Sequence, residues 1–145
     1  MKIVWLVFVV NFSCVLNAGI RIPSTVFEIC ELEEAREKAK KFGKPISFLY
    51  TDADSDCGLC NSAANTILRE LKTTTVMVYM RDKRECPRKV AKALTQRGKY
   101  IPKVVVFDPD LTQELGLVTY EEIDEDARNA FRSVKKAISE YKKSL

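Results

Sequence analysis

The feature of this 145-residue chain that most constrains its fold is an alternation of β-prone apolar runs with amphipathic helical segments. The apolar run at residues 46–50 precedes a 3.6-residue apolar periodicity over residues 57–72, and the β-branched run at 75–80 follows it. A strand, a helix and a second strand in this order predict parallel strands joined by a right-handed crossover. We therefore expect an α/β protein in which helices cover a central sheet.

Further segments extend this alternation toward both ends of the chain. The predicted elements, in order, are a strand at 24–29, a helix at 31–42, a strand at 46–50, a helix at 57–72, a strand at 75–80, a helix at 86–98, strands at 103–107 and 115–118, and one last helix from 119 to about 141. Thr119 and Glu122 have the spacing of a capping box at the start of that last helix. The early segments predict parallel strands and the terminal hairpin adds antiparallel ones, so we expect a single mixed sheet of about five strands.

Two cysteines three positions apart, Cys57 and Cys60, begin the second predicted helix. The free N–H groups and positive dipole end of a helix N-terminus favour a thiolate, which would make Cys57 nucleophilic. Cys60 is close enough to form a disulfide with it and to resolve a mixed-disulfide intermediate. Asp56 stands at the expected N-cap position. Because its charge and those of Asp52 and Asp54 oppose the helix dipole, the sequence leaves the pKa of Cys57 open.

The same spacing has two other interpretations. A structural zinc site needs four ligands, but the chain contains no histidine, and its other cysteines, Cys14, Cys30 and Cys86, occur singly. A purely structural disulfide is a stronger alternative, since small secreted domains often contain such crosslinks. The position of the pair between a strand and a helix favours thiol–disulfide exchange, with no metal.

The composition excludes several classes of protein. A hydrophobic content of 46% and a charged content of 30% are typical of a globular domain with a core rather than of a disordered chain. The net charge is only +4, and the sequence has no cluster of basic residues interspersed with aromatic ones, so we expect no nucleic-acid partner. The chain has no glycine-rich phosphate loop and no internal repeat. We expect one domain, and a monomer.

The first eighteen residues resemble a targeting segment rather than part of a domain. Lys2 is followed by an apolar run at 3–10, and Asn17-Ala18-Gly19 offers small residues for cleavage after Ala18. We therefore predict a signal peptide at 1–18, a domain at 19–145, and an exported protein, periplasmic or extracellular. A lipoprotein with an acylated Cys14 is the lower-ranked alternative, and membrane attachment is expected only in that case.

Two motifs and the order of elements together resemble the thioredoxin family over about residues 24–144. The motifs are Cys57-Gly58-Leu59-Cys60 after the second strand and Ile101-Pro102 before the strand at 103–107. The resemblance implies a thioredoxin fold and thiol–disulfide exchange with polypeptide substrates and a redox partner protein, without a prosthetic cofactor. It further implies that Pro102 is cis and lies beside the dithiol. Gly58, Leu59, Ile101 and Pro102 would then contact the substrate, with the backbone of Ile101 pairing with an extended chain.

The chain departs from the usual pattern of that family at several positions. Asp56 replaces an aromatic residue, Leu59 replaces the commonest proline, and Asn61 follows the second cysteine in place of a basic residue. The strand before the motif lacks a buried acid, so proton transfer at Cys60 needs water or another group. These departures motivate a second hypothesis, a binding module of the same fold with an unreactive Cys57–Cys60 disulfide.

Two further cysteines, Cys30 and Cys86, remain once the signal peptide is removed. In the thioredoxin fold they would follow the carboxyl ends of neighbouring parallel strands, at the same end of the sheet as the dithiol. We therefore expect a second disulfide, Cys30–Cys86, with two separate buried thiols as the alternative.

Overall fold

The computed structural model describes residues 19–145, so the predicted signal peptide and Cys14 lie outside the described residues. Within 19–145 the chain forms five strands and five α-helices. The strands are β1 (Phe27–Glu28), β2 (Ile46–Tyr50), β3 (Val76–Met80), β4 (Lys103–Phe107) and β5 (Glu114–Thr119). The helices are α1 (Leu32–Phe42), α2 (Gly58–Leu71), α3 (Arg88–Leu94), α4 (Tyr120–Ala130) and α5 (Arg132–Lys143).

The strands form one mixed sheet in the order β1-β3-β2-β4-β5. β1 and β2 both pair in parallel with β3, whereas β4 runs antiparallel to β2 and β5 antiparallel to β4. This is the α/β architecture predicted above, and it is consistent with a thioredoxin-like fold. β1 is shorter than predicted, because Glu28 and Glu31 form a capping box that turns residues Ile29–Glu31 into a 3-10 helix.

Alternate residues of the strands build a core on each face of the sheet. Val104 and Val106 of β4 pack on one face against α2, α4 and α5, and Val105 and Phe107 pack on the other against α1 and α3. The buried residues of both cores lie between Val26 and Ile138. The segment 19–145 thus contains one sheet with a hydrophobic layer on each of its faces.

The helix boundaries follow local chemistry. α1 ends as predicted, at Gly43, which adopts the left-handed conformation with φ 58° and lets its N–H cap the last turn. α3 is shorter than predicted, because Pro87 is its N-cap and the chain leaves the helix after Leu94. Gly98, with φ 75°, then turns the chain toward β4.

The prediction of one continuous final helix is wrong. The capping box of Thr119 and Glu122 is present, but Asp126 leaves the helical conformation, with φ −155° and ψ 92°. Its carboxylate accepts bonds from the backbone N–H groups of Arg128 and Asn129, so it caps a new turn inside α4. The helical region is interrupted a second time at the buried Phe131, which lies between the end of α4 and the start of α5.

The segment from 19 to 145 contains no helix that is both long and apolar enough to cross a membrane.

Candidate functional site

The two cysteines of the motif form a disulfide at the start of α2. Their Cα atoms are 5.2 Å apart, and they follow the loop at 51–57 that leaves the carboxyl end of β2. Cys57 is exposed and Cys60 is partly buried. Between them, Leu59 is 68% exposed, and a Cβ added at Gly58 would have no atom within 4 Å. The Cys57 side of the disulfide is therefore accessible from solvent.

The sequence led us to expect Asp56 as the N-cap of α2, and this is wrong, because the N-cap is Cys57. Cys57 has extended backbone angles, φ −72° and ψ 102°, and its Sγ accepts a hydrogen bond from the Cys60 backbone N–H at 3.2 Å. Asp56 lies one residue before the cap and is exposed. An N–H of the first turn that has no backbone partner in the helix therefore points to the sulfur, an arrangement that favours a thiolate over a thiol.

A short network fixes the backbone around Cys57. The Oγ of Ser55 accepts a bond from the Cys57 N–H at 3.1 Å. Asn61, only 7% exposed, donates from its side-chain Nδ2 to the Ser55 carbonyl at 2.8 Å. Asn61 thus joins the first turn of α2 to the loop before it, at the position where the thioredoxin family often has a basic residue.

The acidic loop before the disulfide is held by Arg81. Its guanidinium pairs with Asp54 and, at 3.0 Å, with Asp52, and the bond to Asp54 raises the pKa of Arg81. Tyr79 supports the same loop, since its hydroxyl accepts a bond from the Ala53 N–H at 3.3 Å. Two of the three carboxylates in the loop therefore have a positive partner.

The peptide bond between Ile101 and Pro102 is cis, as the resemblance implies. The next residue, Lys103, lies opposite Tyr50 in the sheet, so these residues share an end of the sheet with the loop that leads to the disulfide. Pro102 is buried and Ile101 is half-buried, while Tyr100 is 54% exposed.

Two side chains outside the motif support this segment, and sequence reasoning did not single out either of them. Lys103 is only 5% exposed, and its Nζ donates to the carbonyls of Leu94, Arg97 and Gly98 at 3.0, 3.0 and 2.6 Å. Burial lowers the pKa of Lys103. A lysine at the first position of a strand carries no local signal of burial, because its partners belong to a helix end and a loop earlier in the chain.

Glu121 in the first turn of α4 is the second of these supports. Its Oε1 accepts bonds from the backbone N–H groups of Lys99 and Tyr100 at 2.6 and 3.1 Å. Burial alone would raise the pKa of this carboxyl, but its backbone hydrogen bonds hold the pKa below the ordinary value. Its Oε2 is buried without a hydrogen-bond partner in the described structure. Glu121 and Lys103 together hold the loop at 95–101.

The expected disulfide between Cys30 and Cys86 is not formed. Both residues are free cysteines, Cys30 exposed and Cys86 half-buried. Cys30 lies in the 3-10 helix that follows β1, and the Sγ of Cys86 donates to the Lys83 carbonyl at 3.0 Å. Burial raises the pKa of the Cys86 thiol. β1 and β3 are indeed parallel neighbours, but the turns that follow them give the two cysteines separate surroundings.

Among residues 19–145, no group of three or more histidine, cysteine or acidic side chains is placed to hold a metal ion. No protein-family model matches the chain, and a search of curated proteins finds no significant match. The fold and the geometry of the disulfide are therefore what support a function.

Proposed function

We propose that the protein is an exported thiol–disulfide oxidoreductase that acts on polypeptide disulfides through Cys57 and Cys60. The observation that carries this proposal is the exposed disulfide at the N-terminus of α2, with the Cys60 N–H directed to the Cys57 sulfur. This arrangement gives one sulfur both access to a partner and stabilisation of its negative charge.

In the reducing direction, the Cys57 thiolate attacks one sulfur of a substrate disulfide. A mixed disulfide forms, and the second substrate sulfur leaves as a thiolate and takes a proton. Cys60, losing its own proton to water or to another group, then attacks the Cys57 sulfur. The substrate sulfur that Cys57 attacked now leaves as a thiolate and takes a proton, the Cys57–Cys60 disulfide re-forms, and two electrons have passed to the substrate. The reverse sequence oxidises a substrate dithiol, and a redox partner protein restores the starting state.

Four residues at the disulfide's end of the sheet would form the docking surface. Gly58 offers open space and Leu59 an exposed apolar side chain, beside the attacking sulfur. Ile101 and Pro102 would lie alongside the substrate, with the Ile101 backbone pairing with an extended chain. The bonds from Lys103 and Glu121 would keep this segment in place.

A second candidate function is a binding module with an unreactive disulfide. The observation that favours it is the exposed carboxylate of Asp56 directly before Cys57, in place of an apolar side chain. A negative charge there opposes formation of a thiolate.

The reduction potential of Cys57–Cys60 separates the two functions. We expect a value between about −120 and −270 mV in glutathione buffers, the range of working exchange proteins. A value below about −300 mV would indicate a structural disulfide and support the binding module.

Substitutions assign the individual roles. Cys57→Ser should abolish exchange with a disulfide-containing polypeptide, whereas Cys60→Ser should accumulate the mixed disulfide on Cys57. Cys86→Ser, which removes a free thiol outside the pair, is the matched control and should retain exchange. Activity that survives in Cys57→Ser would refute the proposed mechanism. Export is tested separately, by the N-terminal sequence of the protein recovered outside the cytoplasm, which should begin at Gly19.

A further inference from the structure

The end of the molecule opposite the disulfide carries a cluster of basic side chains, which we call the basic end. α1 and α2 both run from the carboxyl ends of the parallel strands toward their amino ends, so their last turns lie far from the disulfide. The basic end consists of Lys38, Lys41, Lys44, Arg69, Lys72, Lys135, Lys142 and Lys143.

Two adjoining hollows show that six of these side chains form one surface. The first, of about 390 Å³, is lined in part by Lys38, Lys44 and Lys72. The second, of about 480 Å³, is lined in part by Arg69, Lys135 and Lys142. Thr73 lines both hollows, so the ends of α1 and α2 and the side of α5 make a continuous basic surface.

Much of this positive charge is not neutralised. Glu70 pairs with Lys135 and Arg69, and the bond to Lys135 lowers the pKa of Glu70. The other six residues of the basic end form no salt bridge within residues 19–145; they are Lys38, Lys41, Lys44, Lys72, Lys142 and Lys143. The loop with three aspartates lies at the opposite end, beside the disulfide. The lysines that form no salt bridge therefore attract an anionic surface.

Two exposed apolar side chains lie among these lysines. Phe42 at the end of α1 is 59% exposed and Leu145 is 72% exposed. A Cβ added at Gly43 would lie 3.4 Å from the Leu145 Cδ1, which places Leu145 beside the end of α1. The Lys41 Nζ lies 5.7 Å from the centre of the Phe42 ring. Lysines flanking exposed aromatic and aliphatic side chains are typical of surfaces that adsorb to lipid headgroups.

We propose that the basic end binds the surface of a bilayer containing anionic lipids. The lysines would contact headgroup phosphates, Phe42 and Leu145 would enter the interfacial layer, and the disulfide would face away from the bilayer. A bilayer fits better than a soluble polyanion because only a bilayer gains from the two apolar side chains. This peripheral contact needs neither a lipidated Cys14 nor redox activity, so it stands or falls separately from the proposed function.

Sedimentation with lipid vesicles tests the proposal. Residues 19–145 are used, since the apolar segment at 1–18 would adsorb to any bilayer. We expect binding to phosphatidylserine-containing vesicles at low salt, weak binding to phosphatidylcholine vesicles, and release by added salt. The double variant Lys72→Glu, Lys142→Glu should lower the partition coefficient at least about tenfold, because each basic residue near such a surface contributes about fivefold.

A matched variant separates the basic end from overall charge. Arg88→Glu with Lys92→Glu makes the same change in net charge on exposed residues of α3, which line neither hollow, and should change the partition coefficient little. Phe42→Ser should lower vesicle binding but leave binding to a double-stranded oligonucleotide unchanged. Thermal unfolding would confirm that each variant is folded.

Three results would overturn the proposal. The first is a protein that stays in the supernatant with phosphatidylserine vesicles at low salt. The second is an equal loss of binding in the two double variants. The third is vesicle binding that does not respond to Phe42→Ser, together with equally tight binding to the oligonucleotide, which would identify the surface as a general polyanion site.

Discussion

At the residue scale, the surroundings of the disulfide depend on single hydrogen bonds. Cys57 caps α2 through its own sulfur, and Ser55 and Asn61 hold the backbone on either side of it. Because the capping bond comes from Cys60, the same short segment would supply, in the proposed mechanism, the nucleophile, the resolving thiol and a donor that stabilises the thiolate. Asp56 is exposed directly before Cys57, which makes the reduction potential the decisive quantity.

Glu121 should give the protein a defined acid dependence. Its folded-state pKa lies below the ordinary value of 4.5, so its contribution to stability is present above that value and is lost as the pH falls through the folded pKa. We expect Glu121→Gln to lower the free energy of unfolding by about 1 kcal/mol at neutral pH, after allowing for solvent screening. The difference from wild type should shrink below about pH 4.5.

Urea unfolding over a pH series measures this difference. Glu125→Gln, an exposed position on the same helix, is the control and should show little change at any pH. A deficit in Glu121→Gln that stays constant down to strongly acidic pH would contradict the assignment.

At the element scale, α3 and β4 are joined by a buried charge. Lys103 satisfies three carbonyls at and beyond the end of α3, and this shapes the segment that leads to Pro102. The final helical region shows the reverse effect, since the side chain of Asp126 interrupts a helix that periodicity alone would continue. In both cases one polar side chain determines where an element begins or ends.

Lys103→Met should loosen this connection selectively. It keeps the length of the side chain but leaves the carbonyls of Leu94, Arg97 and Gly98 without their donor, which we expect to cost about 2 kcal/mol of unfolding free energy. Amide hydrogen exchange should accelerate at residues 95–101 and stay unchanged in β2 and β3. Lys99→Met, an exposed neighbour, is the control. Uniformly faster exchange across the sheet would show that Lys103 serves only global stability.

At the scale of the whole molecule, one sheet separates two cores and also two chemically different ends. The disulfide and the acidic loop lie at the carboxyl ends of the parallel strands, and the basic end lies at their amino ends. Acidic residues in the first turns of α1 and α4 and lysines in the last turns of α1 and α5 also complement the helix dipoles. The charge pattern thus serves local helix stability as well as the proposed orientation on a bilayer.

Two phenylalanines test the assignment of the core. Phe131 is 1% exposed in the core between the sheet, α4 and α5, whereas Phe42 is 59% exposed. Phe131→Ala should therefore lower the free energy of unfolding by about 3–5 kcal/mol, through lost burial and the cavity left behind. Phe42→Ala should change it by less than about 0.5 kcal/mol. Chemical unfolding of both variants measures the difference, and equal losses would contradict the described packing.

The amino-acid sequence by itself determined the elements whose causes are local. β2 and β4 begin and end where their apolar runs do, α1 and α2 differ from their predicted bounds by one residue, and the capping box at Thr119 is present. Periodicity, glycine stops and caps act within about four residues, so they can be read along the chain. The alternation of strands and helices then limited the sheet to the mixed arrangement observed.

Only the tertiary structure decided the features that depend on partners distant in the chain. Arg81 meets Asp54 across 27 positions, and Lys103 reaches back across nine to Leu94. Cys30 and Cys86 do not pair, because each lies in or after a different 3-10 turn. The interruption of the final helix at Asp126 also changed which of its side chains are buried in the core. These outcomes follow from distances and burial in three dimensions, which no local pattern contains.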